Sequence, residues 1–386
     1  MSEFRTIREL CSVVVDCPHS TPKWTANGKI VIRNNNIKHG RIDFSSPSYT
    51  DDEHFAQRIK RAKPQPGDII ITREAPIGDV GMIPENTECC LGQRMVLLRA
   101  NQSVCDNFYL LYSLQSLYVQ HQISWSEGTG TTVSNLRIPH LEQIQIPYLP
   151  LEQQAKISSV LRALEEKIEN NRRLNDNLQQ QASILYGKYF PYAVTDDLPA
   201  GWRVGTVGEI VEIHDSKRIP LSGAQRAKME KRIYPYYGAA SLMDYVDEYI
   251  FDGKYLLLGE DGTVVDDAGY PILQYVWGQF WVNNHAHILT GKLGFNVESL
   301  LLLFKRTPVK SIVTGAVQPK ISQANLRSIQ VVVPPQHELD AFNELIRPLF
   351  DQIRQNQDQN KALTSLRDSL LPKLMSGEID VSDIQL

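Results

Sequence analysis

The sequence predicts an α+β fold with two mixed α/β domains, each followed by one long helix, and with the two helices packed as an antiparallel coiled coil of pseudo-two-fold symmetry. Three observations predict it: an internal repeat, a proline before each helical segment, and an apolar seam that paired asparagines interrupt. Alternating and continuous apolar runs typical of β-strands precede both helical segments, so each repeat has the same order of elements.

The internal repeat has an offset of 185 residues. GTTVSNLRIPHLEQIQIPYLP, from Gly130, aligns without a gap with GAVQPKISQANLRSIQVVVPP, from Gly315, and the alignment continues to Leu185 and Leu370. About a dozen of the 56 aligned pairs are identical, where chance gives only a few. TIREL at 6–10 resembles TVGEI at 206–210, so the similarity reaches the beginning of each repeat and indicates a duplicated unit.

Strand-like runs mark the two predicted domains: GDIIIT and MVLLR in the first, KYLLLG and AHILTG in the second. Pro150 and Pro335 then begin the helices, where the missing N–H of proline costs nothing. The predicted boundaries are 1–150 for the first domain, 151–190 for the first helix, 191–335 for the second domain, and 336–386 for the second helix and tail.

The predicted helices run from about Leu151 to Tyr189 and from about Gln336 to Met375, which makes each ~55 Å long at 1.5 Å per residue. Pro348, inside the second helix, should kink that helix or remove one hydrogen bond, and a bend is expected near Arg347.

The helical seam carries Asn171 and Asn175 where apolar residues are expected, and the repeat places Asn356 and Asn360 at the equivalent positions. In an antiparallel pair Asn171 would face Asn360 and Asn175 would face Asn356, so each buried amide finds a partner and the register is fixed. The alternative is that these asparagines lie on a solvated face. A paired rod would hold two similar surfaces ~50 Å apart, about one and a half turns of B-DNA at ~34 Å per turn.

Composition is that of a globular protein, with 42% hydrophobic and 22% charged residues. No apolar run approaches the roughly 18 residues of a membrane span, and the N-terminus has no apolar signal core, so a cytoplasmic protein is expected. The five cysteines favour buried thiols over a disulfide framework, and Cys17 with His19 is a weak candidate for half a metal site. A net charge of -4 counts against a nucleic-acid partner.

Catalytic motifs are absent from the sequence: it has no GxxxxGK[ST] loop, HExxH, GxSxG or GxGxxG motif, so no enzyme and no cofactor is predicted. GEDGTVVDD at 259–267 favours a β-turn over a cation site, because its carboxylates lack the spacing of a calcium loop. His285 and His287 alternate on a strand, and a structural role is favoured over a metal site.

Basic clusters nevertheless lie in both domains, and arginine and amide side chains are the usual readers of guanine and adenine edges. Candidate phosphate contacts are Arg58, Lys60, Arg61 and Lys63 in the first domain and Lys217, Arg218, Arg226, Lys228, Lys231 and Arg232 in the second. Candidate base contacts are Arg33, Asn34, Asn36, Arg73, Gln93, Arg94 and Tyr236. A charge run is usually a solvated face, so these clusters alone do not decide for DNA.

The chain resembles the specificity subunits of Type I restriction–modification enzymes over nearly its whole length. The resemblance rests on VSNLRIPHLEQIQIPYLPLEQQAKI at 133–157, PKISQANLRSIQVVVPPQHELDAF at 319–342, the turn-rich GDIIITREAPIG and GKYLLLGEDGTV, and LLPKLMSGEI at 370–379. QHELDAF departs from LEQQAKI at the start of the second helix.

The resemblance implies two target-recognition domains that each read one half of a bipartite site in double-stranded DNA, separated by two spacer helices. It also implies a non-catalytic subunit that docks two adenine-methyltransferase subunits, joined by restriction subunits in the full complex, with S-adenosylmethionine belonging to the partner. Recognition domains vary most among family members, so the resemblance assigns no base contact. The rival interpretations are a structural rod that presents two protein-binding domains without DNA, and an enzyme with disguised motifs.

Overall fold

The computed structural model describes residues 3–38, 40–125, 135–315, 317–382 and 384. The aligned residues 130–134 of the repeat lie outside this part of the chain. The chain divides into two compact units, Met1–Asn170 with Asp358–Leu386, and Asn171–Gln357. Both units are mixed α/β, and the second repeats the elements that begin and end the first, as the sequence predicts.

The first unit is built on a four-stranded sheet of order β2-β10-β7-β8, beside a three-stranded sheet β6-β3-β9 and the two-stranded pairs β1-β11 and β4-β5. Its strands are β1 Glu3–Thr6, β2 Cys11–Asp16, β3 Lys29–Ile32, β4 Ile37–Lys38, β5 Arg41–Ile42, β6 Ser48–Thr50, β7 Ile69–Arg73, β8 Ile77–Met82, β9 Cys89–Leu91, β10 Met95–Ala100 and β11 Gln145–Tyr148. The helices in the N-terminal half of the chain are α1 Ile7–Leu10, α2 Asp52–Arg58, α3 Asn107–Gln115, α4 Leu117–Trp125, α5 Ile138–Gln143 and the long α6 Leu151–Tyr189.

The second unit contains a six-stranded sheet of order β13-β18-β16-β17-β14-β15 and the pair β12-β19. Its strands are β12 Arg203–Thr206, β13 Val211–Ile213, β14 Tyr234–Tyr237, β15 Leu242–Val246, β16 Phe251–Gly259, β17 Leu273–Val282, β18 Ala286–Gly291 and β19 Gln330–Val333. The helices in the C-terminal half of the chain are α7 Val207–Ile210, α8 Gly223–Ala227, α9 Val297–Phe304, α10 Gln323–Arg327 and the long α11 Gln336–Ser376.

The repeated sequence segments form the same structure in each unit. β1 pairs antiparallel with β11, with Thr6 opposite Gln145, and β12 pairs with β19, with Thr206 opposite Gln330. Both threonines begin a one-turn helix closed by a capping box, in which the carboxylate three residues later accepts the threonine backbone N–H, at 2.7 Å in α1 and 3.0 Å in α7. The similarity of TIREL and TVGEI therefore reflects a shared backbone geometry.

Each unit buries one stretch of each long helix in its own core. In the first unit Ile157 and Leu161 of α6, with Leu374 and Met375 of α11, pack against side chains of the four-stranded sheet and α3. In the second, the buried helix residues are Ala182, Tyr186, Leu339, Phe342, Ile346, Phe350 and Ile353. Since full burial of one large apolar side chain contributes roughly 1.5–3 kcal/mol, these residues are a major attachment of helix to domain.

The seam asparagines Asn171, Asn175 and Asn356 are buried and Asn360 is half-buried, so the solvated-face alternative is wrong for the first three. Within the second unit, the Asn356 side chain donates to Oδ1 of Asn175 at 2.8 Å, and the Asn175 side chain donates to the Ile353 carbonyl at 3.2 Å. Within the first unit, the Asn360 side chain donates to the backbone carbonyl of residue 168 at 3.2 Å. The amides of Asn175, Asn356 and Asn360 therefore form hydrogen bonds, as buried polar groups require.

Helix α11 continues through Pro348 and Pro372, and the predicted bend near Pro348 stays a prediction. No helix in the described residues combines the length and the apolar character that a bilayer crossing needs.

At Gly291, the last residue of β18, the backbone lies too close to Phe295 to leave room for a side chain. A Cβ atom there would lie 1.9 Å from the carbonyl oxygen of Phe295, whereas a Cβ at Gly223 in α8 would meet nothing within 4 Å. We expect Gly291→Ala to lower the free energy of unfolding by about 1–3 kcal/mol, because the backbone must shift to admit the methyl group.

The matched Gly223→Ala variant should leave stability unchanged or slightly raised, since alanine has the higher helix propensity. Denaturant unfolding of both variants measures the difference, and equal stabilities would contradict the tight packing at Gly291.

Candidate nucleic-acid interface

Arg58, the last residue of α2, is buried, and its charge is used inside the first domain. Its guanidinium donates to the carbonyl oxygens of Leu91 at 2.7 Å, Gly92 at 2.8 Å, Ser20 at 3.0 Å and Pro18 at 3.2 Å. This side chain therefore joins three chain segments and presents little surface to a ligand.

The three other cations of this cluster, Lys60, Arg61 and Lys63, are exposed. Lys60 makes no ion pair with any residue that the structure describes, and Lys63 lies 2.9 Å from Glu88. Hydrogen bonds from Lys29 and Lys63 lower the pKa of Glu88 to about 2, so this carboxylate stays ionised. Lys60 and Arg61 are the cations of the cluster best placed to meet a phosphate, because neither is paired with a carboxylate within the described residues.

The candidate readers Asn34 and Arg94 meet at Glu74, in the loop after β7. The Asn34 side chain donates to the Glu74 carbonyl oxygen at 2.6 Å, and Nε of Arg94 lies 3.3 Å from the Glu74 carboxylate. Oδ1 of Asn34 is buried without a hydrogen-bond partner within the described residues. Close in sequence, the guanidinium of exposed Arg33 lies 5.2 Å from the ring centre of exposed Trp24. This edge of the domain therefore carries two exposed guanidinium groups and an aromatic face.

Three other predicted readers are engaged within the domain. Asn36 is buried and accepts the backbone N–H of Arg33 at 2.9 Å. Arg73 is 2.8 Å from both carboxylate oxygens of Asp16, and the Gln93 side chain donates to a backbone carbonyl in the loop after β2. These contacts hold loops in place.

Cys17 and His19 have separate partners. The buried Cys17 sulfur accepts the backbone N–H of Met95 at 3.3 Å, while Nε2 of His19 lies 3.0 Å from the Asp16 carboxylate. All five cysteines are buried free thiols.

In the second domain, Lys217 is exposed and makes no ion pair within the described residues, whereas Arg218 is mostly buried. Arg218 forms a short ion pair with Glu260, donates to the Ala286 carbonyl at 2.8 Å and lies 3.4 Å from the Asp215 carboxylate. Its guanidinium therefore ties the turn that carries Lys217 to the central sheet.

His287 and His285 do not converge on one ligand. Nδ1 of buried His287 lies 2.6 Å from Asp215 and its Nε2 lies 2.8 Å from a backbone carbonyl, while His285 lies 3.6 Å from Asp261. Burial opposes ionisation of Asp215, yet the hydrogen bond from His287 leaves the pKa of Asp215 below its ordinary value. Asp215, Glu260 and His287 come within 4.8 Å of one another, but Arg218 already supplies a cation to both carboxylates.

The second basic cluster surrounds the β14–β15 hairpin. Asp244 of β15 binds both Arg226, at 3.0 Å, and Arg232, at 2.8 Å. The Arg226 guanidinium lies 4.9 Å from the ring centre of buried Tyr236, whose hydroxyl accepts the Leu221 backbone N–H at 3.0 Å. Tyr236 is therefore part of the core beneath the hairpin, and the cations that remain exposed are Lys228, Lys231 and Arg232.

Sequence reasoning missed three exposed side chains beside these cations: Trp24 in the first domain, and Met243 and Tyr245 on β15. Large apolar residues on an edge strand next to basic residues are a signal of a contact surface. The sequence did not identify β15 as an edge strand, because strand order depends on long-range pairing.

The duplicated α/β units, each with exposed cations near aromatic or amide side chains, indicate a protein of the DNA-recognising class. The sequence profile of the family described as "Type I restriction modification DNA specificity domain" matches residues 3–180 and 199–364. The chain belongs to this family, and it is the specificity subunit of a Type I restriction–modification system.

Two relatives and one solved structure illustrate the similarity. The type I restriction enzyme MjaIX specificity subunit of Methanocaldococcus jannaschii is 25% identical over 350 residues, covering 82% of this chain and 79% of that protein. A putative type I restriction enzyme specificity subunit of Haemophilus influenzae is 30% identical over 141 residues, 36% of this chain and 34% of that protein. The crystal structure of the S subunit from the type I system of M. genitalium has a TM-score of 0.59 at 20% identity, covering 97% of this chain and 96% of that one. The last likeness shows a shared fold.

Arg58 and Lys60 give a matched test of which cations are structural. We expect Arg58→Ala to destabilise the protein by about 3 kcal/mol or more, because four backbone carbonyls lose their buried donor. Lys60→Ala should change the free energy of unfolding by less than about 0.5 kcal/mol, since the side chain is exposed and unpaired within the described residues. Thermal and denaturant unfolding compare them, and similar losses in both variants would contradict this assignment.

Proposed function

We propose that this specificity subunit reads a bipartite DNA sequence, with one recognition domain on each half-site. The observation that carries the proposal is the double family match, residues 3–180 and 199–364, on two units that repeat the same strand pair, capped turn and long helix. Two equivalent units in one chain suit two half-sites on one duplex. The recognition domains are residues 1–150 and 191–335, and the spacer helices are 151–190 and 336–386.

The exposed lysine and arginine side chains make the phosphate contacts. The arginine and amide side chains near Glu74 contact the base edges. Phosphate neutralisation by lysine and arginine supplies most of the affinity, and side chains in the major groove supply the choice of sequence. Of the predicted residues, the exposed side chains Lys60, Arg61, Lys63, Lys217, Lys228, Lys231 and Arg232 serve phosphates, and Arg33, Asn34 and Arg94 serve bases. Gln93, whose side chain is bonded to a loop carbonyl, holds that loop in place. The more buried Arg58, Asn36, Arg73, Arg218, Arg226 and Tyr236 shape the loops that present them.

The two long helices act as an antiparallel coiled-coil spacer with a pseudo-two-fold axis through its asparagine layers. Support comes from the contacts within the second unit, where Asn175 contacts Asn356 and Tyr186 contacts Phe342, so the residue numbers run in opposite directions along the pair. In the first unit Arg367 of α11 lies 3.6 Å from Glu165 of α6. An ion pair therefore joins the two helices in this unit.

The subunit does no chemistry itself and directs partners to the site. Adenine-methyltransferase subunits, two per complex, dock on the outer faces of the helices and bring S-adenosylmethionine, and restriction subunits join the full complex. The family match supports this division of labour, since the family is defined by DNA specificity.

Selection from a random duplex pool tests the function. The chain, alone and co-expressed with its methyltransferase subunit, is incubated with the pool, and bound DNA is separated by gel shift and sequenced. We expect enrichment of two short fixed sequences separated by a constant number of unspecified base pairs. Absence of any enriched bipartite site would favour a rod that presents two protein-binding domains without DNA.

Removal of one exposed lysine tests the phosphate contacts. We expect Lys217→Ala to weaken binding of the selected duplex without changing its sequence, and to reduce the slope of log K against log salt by about 0.9. Glu212→Ala, at an exposed carboxylate on β13, is the control for surface change in the same unit. An unchanged salt slope would remove Lys217 from the interface.

A cysteine pair tests the direction of the helices. Asn175→Cys with Asn356→Cys should form a disulfide in mild oxidant, because the two amides are in contact at 2.8 Å. Asn175→Cys with Asn360→Cys is the matched pair that a parallel arrangement would favour, since the repeat makes these positions equivalent. Preferential cross-linking of the second pair, seen by gel mobility without reductant, would refute the antiparallel spacer.

A further inference from the structure

A buried carboxylate joins the second recognition domain to its long helix. Oε1 of Glu298, at the beginning of α9, accepts hydrogen bonds from Lys254 Nζ and the Tyr275 hydroxyl, both at 2.7 Å, and from the Arg354 guanidinium at 3.0 Å. Arg354 lies on α11, whereas the other three residues belong to the domain. The helix therefore contributes one charge to a site that the domain builds.

Burial and charge make this site sensitive to the presence of Arg354. The side chain of Glu298 is 4% exposed and that of Arg354 is 17% exposed. Burial opposes ionisation, but hydrogen bonds from Lys254 and Tyr275 hold the pKa of Glu298 below its ordinary value. Burial and the Glu298 charge raise the pKa of Tyr275, so its hydroxyl remains a donor. Oε2 of Glu298 has no hydrogen-bond partner in the described residues, so loss of a cation there leaves a buried charge poorly compensated.

The first unit has a corresponding cluster with other residues. Arg41 of β5 donates to the Glu169 carboxylate and to the backbone carbonyl of Glu165, both at 3.0 Å. The hydroxyl of Tyr112, on α3, donates to the Glu165 carboxylate at 3.1 Å. Both glutamates lie on α6, so here the helix supplies the negative charge and the domain supplies the cation.

The repeat makes the two clusters directly comparable. At the offset of 185 residues, Glu169 of α6 corresponds to Arg354 of α11, and Glu165 corresponds to Phe350. Phe350 packs edge-on against Tyr275, with 5.6 Å between the ring centres. In each unit, therefore, a tyrosine of the domain contacts one helix position, and a charged residue of the domain contacts the helix position four residues later. The charge at that second position is reversed between the units.

Reversed charges make each domain complementary to its own helix alone. Were the first domain seated on the second helix, Arg41 would face Arg354; in the opposite exchange, Glu298 would face Glu169. Like charges in a partly buried contact disfavour both arrangements, and mismatched charge is a general means of rejecting a wrong partner.

We propose that these two ion-pair clusters, opposite in charge sense, hold each recognition domain in one orientation on its own stretch of helix and so fix the half-site spacing that the complex accepts. The spacing part of this inference rests on the proposed function, whereas the orientation part does not. Arg41, Glu169, Glu298 and Arg354 are then positioning residues that touch no DNA.

The test uses the first cluster, whose ion pair is more exposed and tolerates charge reversal better. Spin labels are placed on cysteines introduced at Glu85 and Lys167, which are exposed in the domain and on α6 of the same unit; the native cysteines are buried. In the full chain, Glu169→Arg should shift or broaden the label distance, because it opposes Arg41. Addition of Arg41→Glu should restore the original distance.

The same variants, co-expressed with the methyltransferase subunit, report the spacing through sequencing of methylated genomic DNA. We expect Glu169→Arg, and Arg354→Gln in the second cluster, to keep both half-site sequences but admit spacings changed by about one base pair, roughly 3.4 Å along B-DNA. The double variant should return to the single original spacing. Arg347→Gln, at an exposed arginine on the same helix as Arg354, should leave the spacing unchanged.

The outcomes separate the two claims. An unchanged label distance in Glu169→Arg, or no recovery in the double variant, overturns the orientation role. Altered label distances with an unaltered spacing overturn the link to half-site spacing. If the unsubstituted complex methylates no bipartite site, the proposed function fails, while the label distances still decide whether the ion pair orients the domain.

Discussion

A buried polar group must find its partner inside the protein, and in both units the polar contacts between the domain and the long helices follow from this constraint. Apolar burial alone would hold the helices against the domains, because side chains such as Ile157 and Phe342 are buried in the two cores. Apolar contact, however, tolerates sliding and rotation more readily than a hydrogen bond does. The amide pair Asn175–Asn356 orients the two helices, and the ion pairs at Glu169 and Arg354 orient each domain on its helix, since each contact is satisfied in one arrangement.

The same constraint explains why many candidate contacts proved internal. Arg58 and Arg218 lie in basic stretches of the sequence, yet both are used to join loops by bonds to carbonyls or carboxylates. A loop that presents Lys60 or Lys217 to a ligand needs a rigid base, and a guanidinium with its five donors can connect several segments at once. The exposed cation and its buried neighbour therefore have complementary roles: one is available for binding, and the other holds it in place.

Much of this organisation could be predicted from local sequence. The proline before each long helix and the apolar seam predict helices that begin at Leu151 and Gln336, where the structure begins them, because capping and periodicity are short-range effects. The asparagine pairs could be predicted from the sequence, because the repeat places asparagine on the apolar seam in both helices. The burial of Arg58 and Tyr236 could not be predicted from the sequence, since it depends on strands that are distant in the chain. The ion-pair clusters were missed for the same reason, as Arg41 and Glu169 are far apart in the chain.

Exchange of one domain is the most direct test of a subunit that reads two half-sites independently. Residues 191–335 would be replaced by the corresponding domain of the Methanocaldococcus jannaschii relative, and the chimaera expressed with the methyltransferase subunit. Sequencing of methylated genomic DNA should then show a new sequence in one half of the methylated site, with the other half unchanged. A change in both halves, or in neither, would contradict an account in which each unit reads its own half.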